Sequence, residues 1–208
     1  MVAAEAMTQE QTIFEQDRAH LNFQSAVREK FAFLNDLGFS EIEALPTLVR
    51  YRKDDVEVDV YYGRQSYEIG AGISYLGARY EMADIIRAMD ADAAERYGGA
   101  MASRMEGVVA GLEELGSLIK RHGVAALRAD PQFFSTLEEK REIWRKDYWL
   151  DGLARQLRPQ ADDAFHRGDY SRAAELYARI RDRLSPAEIK KLTFAEQRSQ
   201  CWRPGSAG

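Results

Sequence analysis

Val56, Val58 and Val60 alternate with Glu57, Asp59 and Tyr61. Alternation of β-branched residues at period two predicts a half-buried strand. Just before it, Val49 and Tyr51 alternate with Arg50 and Arg52, and the polar stretch Lys53-Asp54-Asp55 supplies a turn. Two registers fit this hairpin. A Lys53-Asp54 turn sets Arg52 opposite Asp55 and Arg50 opposite Glu57. An Asp54-Asp55 turn sets Arg52 opposite Glu57 and Arg50 opposite Asp59. Either places Val and Tyr on one face and opposite charges on the other. A third strand follows, with Tyr67, Ile69, Ala71 and Ile73 alternating with Glu68, Gly70 and Gly72. A four-residue loop, Gly63 to Ser66, would pair Tyr62 with Tyr67 and Val60 with Ile69. The bare Gly70 and Gly72 invite a close approach, by a partner, by a covering helix or at a bulge.

The rest of the chain carries helical spacing. Residues 8–37 read as helix, with Val27, Phe31 and Leu34 on one face and Gly38 as the stop. Phe39 to Pro46 is a connector with an extra strand around Ile42. Tyr80 to Met89 reads as a short amphipathic helix with Met82, Ile85, Ile86 and Met89 as its stripe. Asp90 to Gly99 reads as a break. Met101, Met105, Val108, Leu112, Leu115 and Ile119 then space a helix over 100–121. Asp130-Pro131 is an N-cap with proline at the first helical position. The helix it opens is aromatic, through Phe133, Phe134, Trp144, Tyr148 and Trp149, and Arg158-Pro159 ends or kinks it. Arg141, Arg145 and Lys146 interleave with these aromatics, but Glu138, Glu139, Glu142 and Asp147 do too. That mixture reads as a solvated face over an aromatic core rather than a nucleic-acid surface. Residues 160–184 form a helical hairpin turning at Gly168-Asp169, and Ser185-Pro186-Ala187-Glu188 starts another helix.

These elements predict an α+β fold: a small antiparallel β-meander of three or four strands, flanked by helices, with a mostly helical C-terminal half. The division expected is 1–90 for helix, sheet and short helix, 91–202 for the helical region, and 203–208 as a disordered tail.

Charge sharpens the picture. Net charge is -5, but residues 1–140 hold 24 acidic and 15 basic residues while residues 141–208 hold 10 and 14. An acidic front argues against general nucleic-acid binding and suits a basic partner. A single cysteine, Cys201, excludes an internal disulfide framework and fits a reducing cytoplasm. The opening MVAAEAMTQEQ lacks the basic-then-apolar order of a signal peptide, and no apolar run suggests a membrane span.

Candidate chemistry is sparse. His20, His122 and His166 lie far apart without metal-ligand spacing, and the phosphate-loop and nucleophile-elbow motifs are absent. No catalytic, cofactor-binding or metal residues are expected, and the chain reads as a non-enzyme without cofactors.

The runs FAFLNDLGFS, LVRYRKDDVEVDVYYGRQSYEIGAGI and YEMADIIRAM resemble a group of small bacterial proteins similar to immunity proteins encoded beside polymorphic toxins. The resemblance covers roughly residues 31–89 and the LSPAEIKKL stretch, and implies fold more than activity. Separately, Tyr170, Ala173 and Tyr177 follow the Gly168-Asp169 turn at tetratricopeptide-like spacing, in a single copy without tandem repeats. The function expected is direct protein binding, most concretely neutralisation of a basic toxin domain. A helical adaptor built on the hairpin is the alternative, and an enzyme with an unrecognised site ranks third. Parity assigns the partner surface to Glu57, Asp59, Tyr61 and Glu68, accessible to solvent, with Arg64 at the adjacent loop. Arg50 and Arg52 should neutralise part of this cluster, so removing Glu57 and Asp59 should change stability little.

Overall fold

The structure, a computed structural model, describes residues 21–63 and 66–201. It is α+β. The chain divides into two compact units, Met1–Lys140 and Arg141–Gly208. Arg64, the 8–20 part of the expected first helix, His20 and the tail 203–208 lie outside the described residues.

The first unit begins with α1 (Phe23–Lys30) and α2 (Phe33–Asp36), and then builds a meander. Its strands are β1 (Ser40–Leu45), β2 (Leu48–Lys53), β3 (Val56–Tyr62), β4 (Glu68–Tyr75) and β5 (Ala78–Glu81), adjacent in that order and antiparallel. After α3 (Met82–Met89) and α4 (Ala91–Arg96), β6 (Ala100–Met101) returns to pair with the start of β4. α5 (Met105–His122), α6 (Val124–Leu127) and the start of α7 (Pro131–His166) complete the unit. Among the described residues, no helix is long and apolar enough to cross a membrane.

The β2–β3 hairpin takes the Asp54-Asp55 turn, so Arg52 faces Glu57 and Arg50 faces Asp59. Asp54 sits at φ 50, a left-handed conformation that Asp tolerates. The β3–β4 register differs from expectation by two residues. Tyr62 pairs with Ile69, and Val60 with Ala71. Tyr67 stands at φ 54, outside the strand, while the Gly63 amide donates to the Glu68 carbonyl at 2.6 Å and closes a longer loop. A slip of two preserves parity, so the side chains from Glu68 to Ile73 keep their predicted faces, while Tyr67, expected on the buried face, is exposed.

That parity builds the core. Val49, Tyr51, Val56, Val58, Val60, Tyr62, Ile69 and Ile73 are buried together. Phe23 of α1 stacks on Tyr62 at 5.8 Å, and Phe134 of α7 stacks on Tyr75 at 4.3 Å. Gly111 of α5 permits a close approach here. A Cβ at that position would lie 3.0 Å from Ile69 Cδ1 and 2.8 Å from Ala100 Cβ.

Several further expectations in this unit are corrected. The sheet has six strands rather than three or four, and within the described residues the helix expected over 8–37 begins at Phe23 and breaks at Phe31-Ala32. Tyr80 and Glu81 are strand rather than helix, because Leu76 (φ 50) and Gly77 (φ 83) form a two-residue turn that folds β5 back on β4. The expected break after Asp90 contains α4, capped by Asp90 accepting from the Ala93 amide at 2.8 Å. The 100–121 helix starts only at Met105, because Ala100-Met101 is spent on β6, which leaves Met101 exposed. Met89 is likewise exposed rather than part of its helix's buried stripe.

The second unit comprises most of α7, then α8 (Tyr170–Arg179), a single 3-10 turn and α9 (Pro186–Cys201). Helix α7 runs through Pro159 instead of ending there. A proline inside a helix costs about 3 kcal/mol. Burial of Ala154, Leu157, Ala161 and Ala164 on both sides of it, against Ala173, Leu176, Tyr177 and Leu192, offsets that cost. The Tyr177 hydroxyl and the Lys191 ammonium both donate to Asp162 Oδ1 at 2.5 Å. The expected aromatic core along α7 is not continuous. Phe134 and Leu137 are buried, but Tyr148 and Trp149 are 76% and 62% exposed.

Candidate functional site: the polar face of the sheet

The face opposite the core carries Glu43, Arg50, Arg52, Glu57, Asp59, Tyr61, Arg79 and Glu81, by the same alternation that buries their neighbours. Arg50, Arg52 and Glu81 side chains are about half exposed there, at 44%, 52% and 47%. Arg50 reaches Glu43 on β1 at 2.8 Å. Arg52 binds Glu57 through Nε at 2.9 Å and Nη2 at 2.5 Å.

Arg79 organises the centre. Its Nε donates to Asp59 Oδ1 at 2.9 Å and its Nη2 to Asp59 Oδ2 at 2.6 Å, a planar two-point fork. Nη1 holds Glu81. The Asp59 hydrogen bonds, opposed by burial, raise the guanidinium pKa further. To reach β3 the side chain crosses Gly72, where a Cβ would lie 2.6 Å from Arg79 Cζ. The Tyr61 ring crosses the other glycine in the same way, lying against the space a Gly70 Cβ would fill. Arg79 Cζ stands 5.6 Å from the Tyr61 ring centroid. The bare glycines thus accommodate the chain's own Tyr61 and Arg79.

Asp59 departs from expectation. It is 8% exposed rather than solvent-accessible, because Arg79 covers it. Arg50, the expected neutraliser of this stretch, is drawn to Glu43 instead. Glu57 and Tyr61 are half-buried and Glu68 is exposed. Glu57, Asp59, Tyr61 and Glu68 therefore share a face as parity requires, and Arg64 lies outside the described residues. Sequence reasoning missed Arg79 and Glu81. The available signal was the alternation Ala78-Arg79-Tyr80-Glu81 directly after Leu76-Gly77.

Burial pushes the Tyr61 phenol up to about 12, with Glu81 and Glu68 adding to the shift. In the core, burial and then Glu41 push Tyr51 up to about 12. A phenol whose folded pKa exceeds the free value of 10.0 stabilises the fold below that value, and this stability is lost as pH rises through about 12. Phenolate absorbance should show these tyrosines still protonated when freely exposed ones have ionised, with unfolding accompanying their titration. Ionisation of all tyrosines in one step near 10.0 would contradict the burial of Tyr51 and Tyr61.

No group of three or more His, Cys, Asp or Glu among the described residues is arranged to hold a metal ion. What the face offers chemically is an array of cross-strand ion pairs and carboxylates around the Tyr61 ring. No protein-family model, curated protein or solved structure matches the chain.

Proposed function

We propose that the chain is a non-enzymatic protein-binding protein, an immunity-type inhibitor that neutralises a cognate basic toxin domain in the cytoplasm by docking it on the polar face of the sheet. One observation carries the reading: a five-strand face on which Arg50, Arg52 and Glu81 keep about half their side-chain surface, braced by cross-strand ion pairs. Such a surface needs little reordering on binding, which lowers the entropic cost of association. The acidic balance of residues 1–140 would steer a cationic partner towards it.

The test is affinity capture with the full chain across a salt series, identification of the captured protein, and its co-expression with and without the chain. The expected result is a growth-inhibiting protein whose capture weakens with salt and whose toxicity the chain relieves. Unrelieved toxicity, or capture indifferent to salt, would remove this reading.

A helical adaptor is the second reading. The exposed Tyr148 and Trp149 on α7 favour it, because large aromatics are common interface anchors. In that case capture would fail for Trp149→Ala and survive substitutions on the sheet.

A further inference from the structure

We propose that the outward face of α7 in the second unit, at Tyr148, Trp149, Gly152 and Arg155, docks an acidic segment of a protein partner, one that presents an apolar side chain flanked by carboxylates. The inference is independent of docking on the sheet. It rests on the adaptor reading above and names the chemistry that the helix would hold.

The face is defined by what lies behind it. Ala154, Leu157 and Ala161 form the seam that α7 packs into the hairpin. Steps of about 100° per residue put Gly152 on the side opposite that seam. It follows Tyr148 by four residues and Trp149 by three, so it sits one turn on, between the two aromatic positions. Helices disfavour glycine, and α5 shows how its own glycines are used. Cβ atoms at Gly107, Gly111 and Gly116 would press on Ala102, Ala100 and the Lys30 carbonyl at 2.9, 2.8 and 3.3 Å. At Gly152 a Cβ would meet nothing within 4 Å, and among the described residues it is the one glycine inside a helix of which that is true. The unit's own packing leaves this gap unused. It gives room for a side chain from outside, beside two aromatics that keep most of their surface.

Charge selects the visitor. Asp147 and Asp151 are both held by Arg183. Arg155 is exposed and makes no ion pair among the described residues. Arg145, seven residues before Gly152 and on the same line of the helix, is tied to Glu142 in an exposed pair that water screens. Cations therefore stand on both sides of the gap, in a unit whose residues 141–208 hold 14 basic and 10 acidic side chains. Carboxylates on either side of an apolar residue complement that pattern. A nucleic acid would need an unbroken basic track, which Glu142 and Asp163 interrupt at either end. A second copy laid face to face would set arginines against arginines.

The test is an NMR titration of the isotope-labelled full chain with the end-blocked hexapeptide Glu-Glu-Leu-Phe-Glu-Glu, and with its neutral counterpart Gln-Gln-Leu-Phe-Gln-Gln. The acidic peptide should shift the Trp149 indole and the Gly152 amide saturably at millimolar concentration. The neutral peptide should bind about fivefold more weakly. Gly152→Gln fills the gap with a better helix former, so it should raise the thermal midpoint and still weaken binding about tenfold. Arg155→Gln should weaken it about threefold, and Ile189→Ala, exposed on α9, should leave it unchanged. Binding undiminished by Gly152→Gln would overturn the proposal. Equal binding of the two peptides would overturn the acidic partner and keep the adaptor. No shift on α7 would count against both. Shifts of the same signals on concentrating the chain alone would assign the face to a second copy, and tighter binding of an oligothymidylate would assign it to nucleic acid. Either result would overturn the acidic segment.

Discussion

Asp59→Lys should destabilise the first unit by about 2–3 kcal/mol, whereas Glu57→Lys should cost no more than about 1 kcal/mol. The two carboxylates are neighbours on one strand and on one face, and the sequence treats them alike. Their surroundings do not. Asp59 is 8% exposed and receives both arms of the Arg79 fork. Lysine there would bring a second cation against Arg79 at a site with little water. Breaking a fully buried pair from one side costs about 3–5 kcal/mol. Arg79 retains 38% of its side-chain surface, so solvent screening lowers the expected figure. Glu57 and Arg52 keep 34% and 52%, and their pair contributes what surface pairs ordinarily contribute. Urea unfolding of the two single variants checks this by the separation of their midpoints. Equal midpoints would mean that Arg79 does not shield Asp59. Asp59→Asn, which keeps the shape and one acceptor, should fall between wild type and Asp59→Lys. The result also bears on any binding experiment. A variant combining Glu57→Lys with Asp59→Lys would mix lost stability with lost binding, so Glu68 is the better residue to change on this face.

The contrast between Glu57 and Asp59 shows what was legible in the sequence. Parity was legible, because Val56, Val58 and Val60 can only share the buried face, and a sheet side is fixed by a period of two. The meander was legible because each connection is short. Register was not, since a slip of two residues leaves every hydrophobic residue on its own side. The β3–β4 pairing is decided by Tyr67 adopting φ 54 and by Gly63 bonding to Glu68. Nothing in the alternation reports these. β5 was hidden for a different reason. Tyr80 is in phase both with the strand before it and with the Met82, Ile85 and Ile86 stripe after it, and the longer helical signal absorbed it. Losing β5 meant losing Arg79, and with it the reason for Gly72, the burial of Asp59 and the cover over Tyr61. At Pro159 the local rule was outweighed by tertiary packing, since the alanine-rich seam of α7 buries residues on both sides of it. The capping signals at Asp130 and Ser185, by contrast, stand as read, because a cap is satisfied within three residues and owes nothing to distant packing. The Asp130 carboxylate accepts from the Gln132 amide at 2.9 Å.

Glu188→Ala should destabilise the second unit by about 2–3 kcal/mol near neutral pH, and the deficit should shrink in acid. Glu188 is 8% exposed and serves two elements at once. Its Oε2 accepts the Ser185 amide at 2.7 Å, and the Ser185 hydroxyl accepts the Glu188 amide at 3.3 Å, which closes a capping box at the start of α9. Its Oε1 accepts Arg158 Nε at 2.6 Å, and Arg158 Nη2 also donates to the Arg183 carbonyl at 2.7 Å, tying α7 to the turn before α9. Alanine removes the cap, worth about 1 kcal/mol, and strands the Ser185 amide and one arm of Arg158. Burial alone would raise the Glu188 pKa. The Ser185 amide and hydroxyl, followed by Arg158, outweigh it and hold the carboxyl below its ordinary value of 4.5. A folded pKa below the unfolded one gives stability that is complete above 4.5 and lost as pH falls through the folded value. Asp162 behaves similarly: burial is outweighed by Lys191 and Tyr177, which hold it below 3.8. Wild type should therefore weaken below about pH 4, and the alanine variant, lacking the Glu188 share, should weaken less steeply. Glu188→Gln keeps an acceptor for the Ser185 amide without the charge and should lose about half as much at neutral pH. Amide exchange across residues 186–195 at two pH values reads the effect within α9 itself. A deficit that stayed constant between neutral and acid conditions would show that the Glu188 charge contributes nothing and that the loss is packing alone.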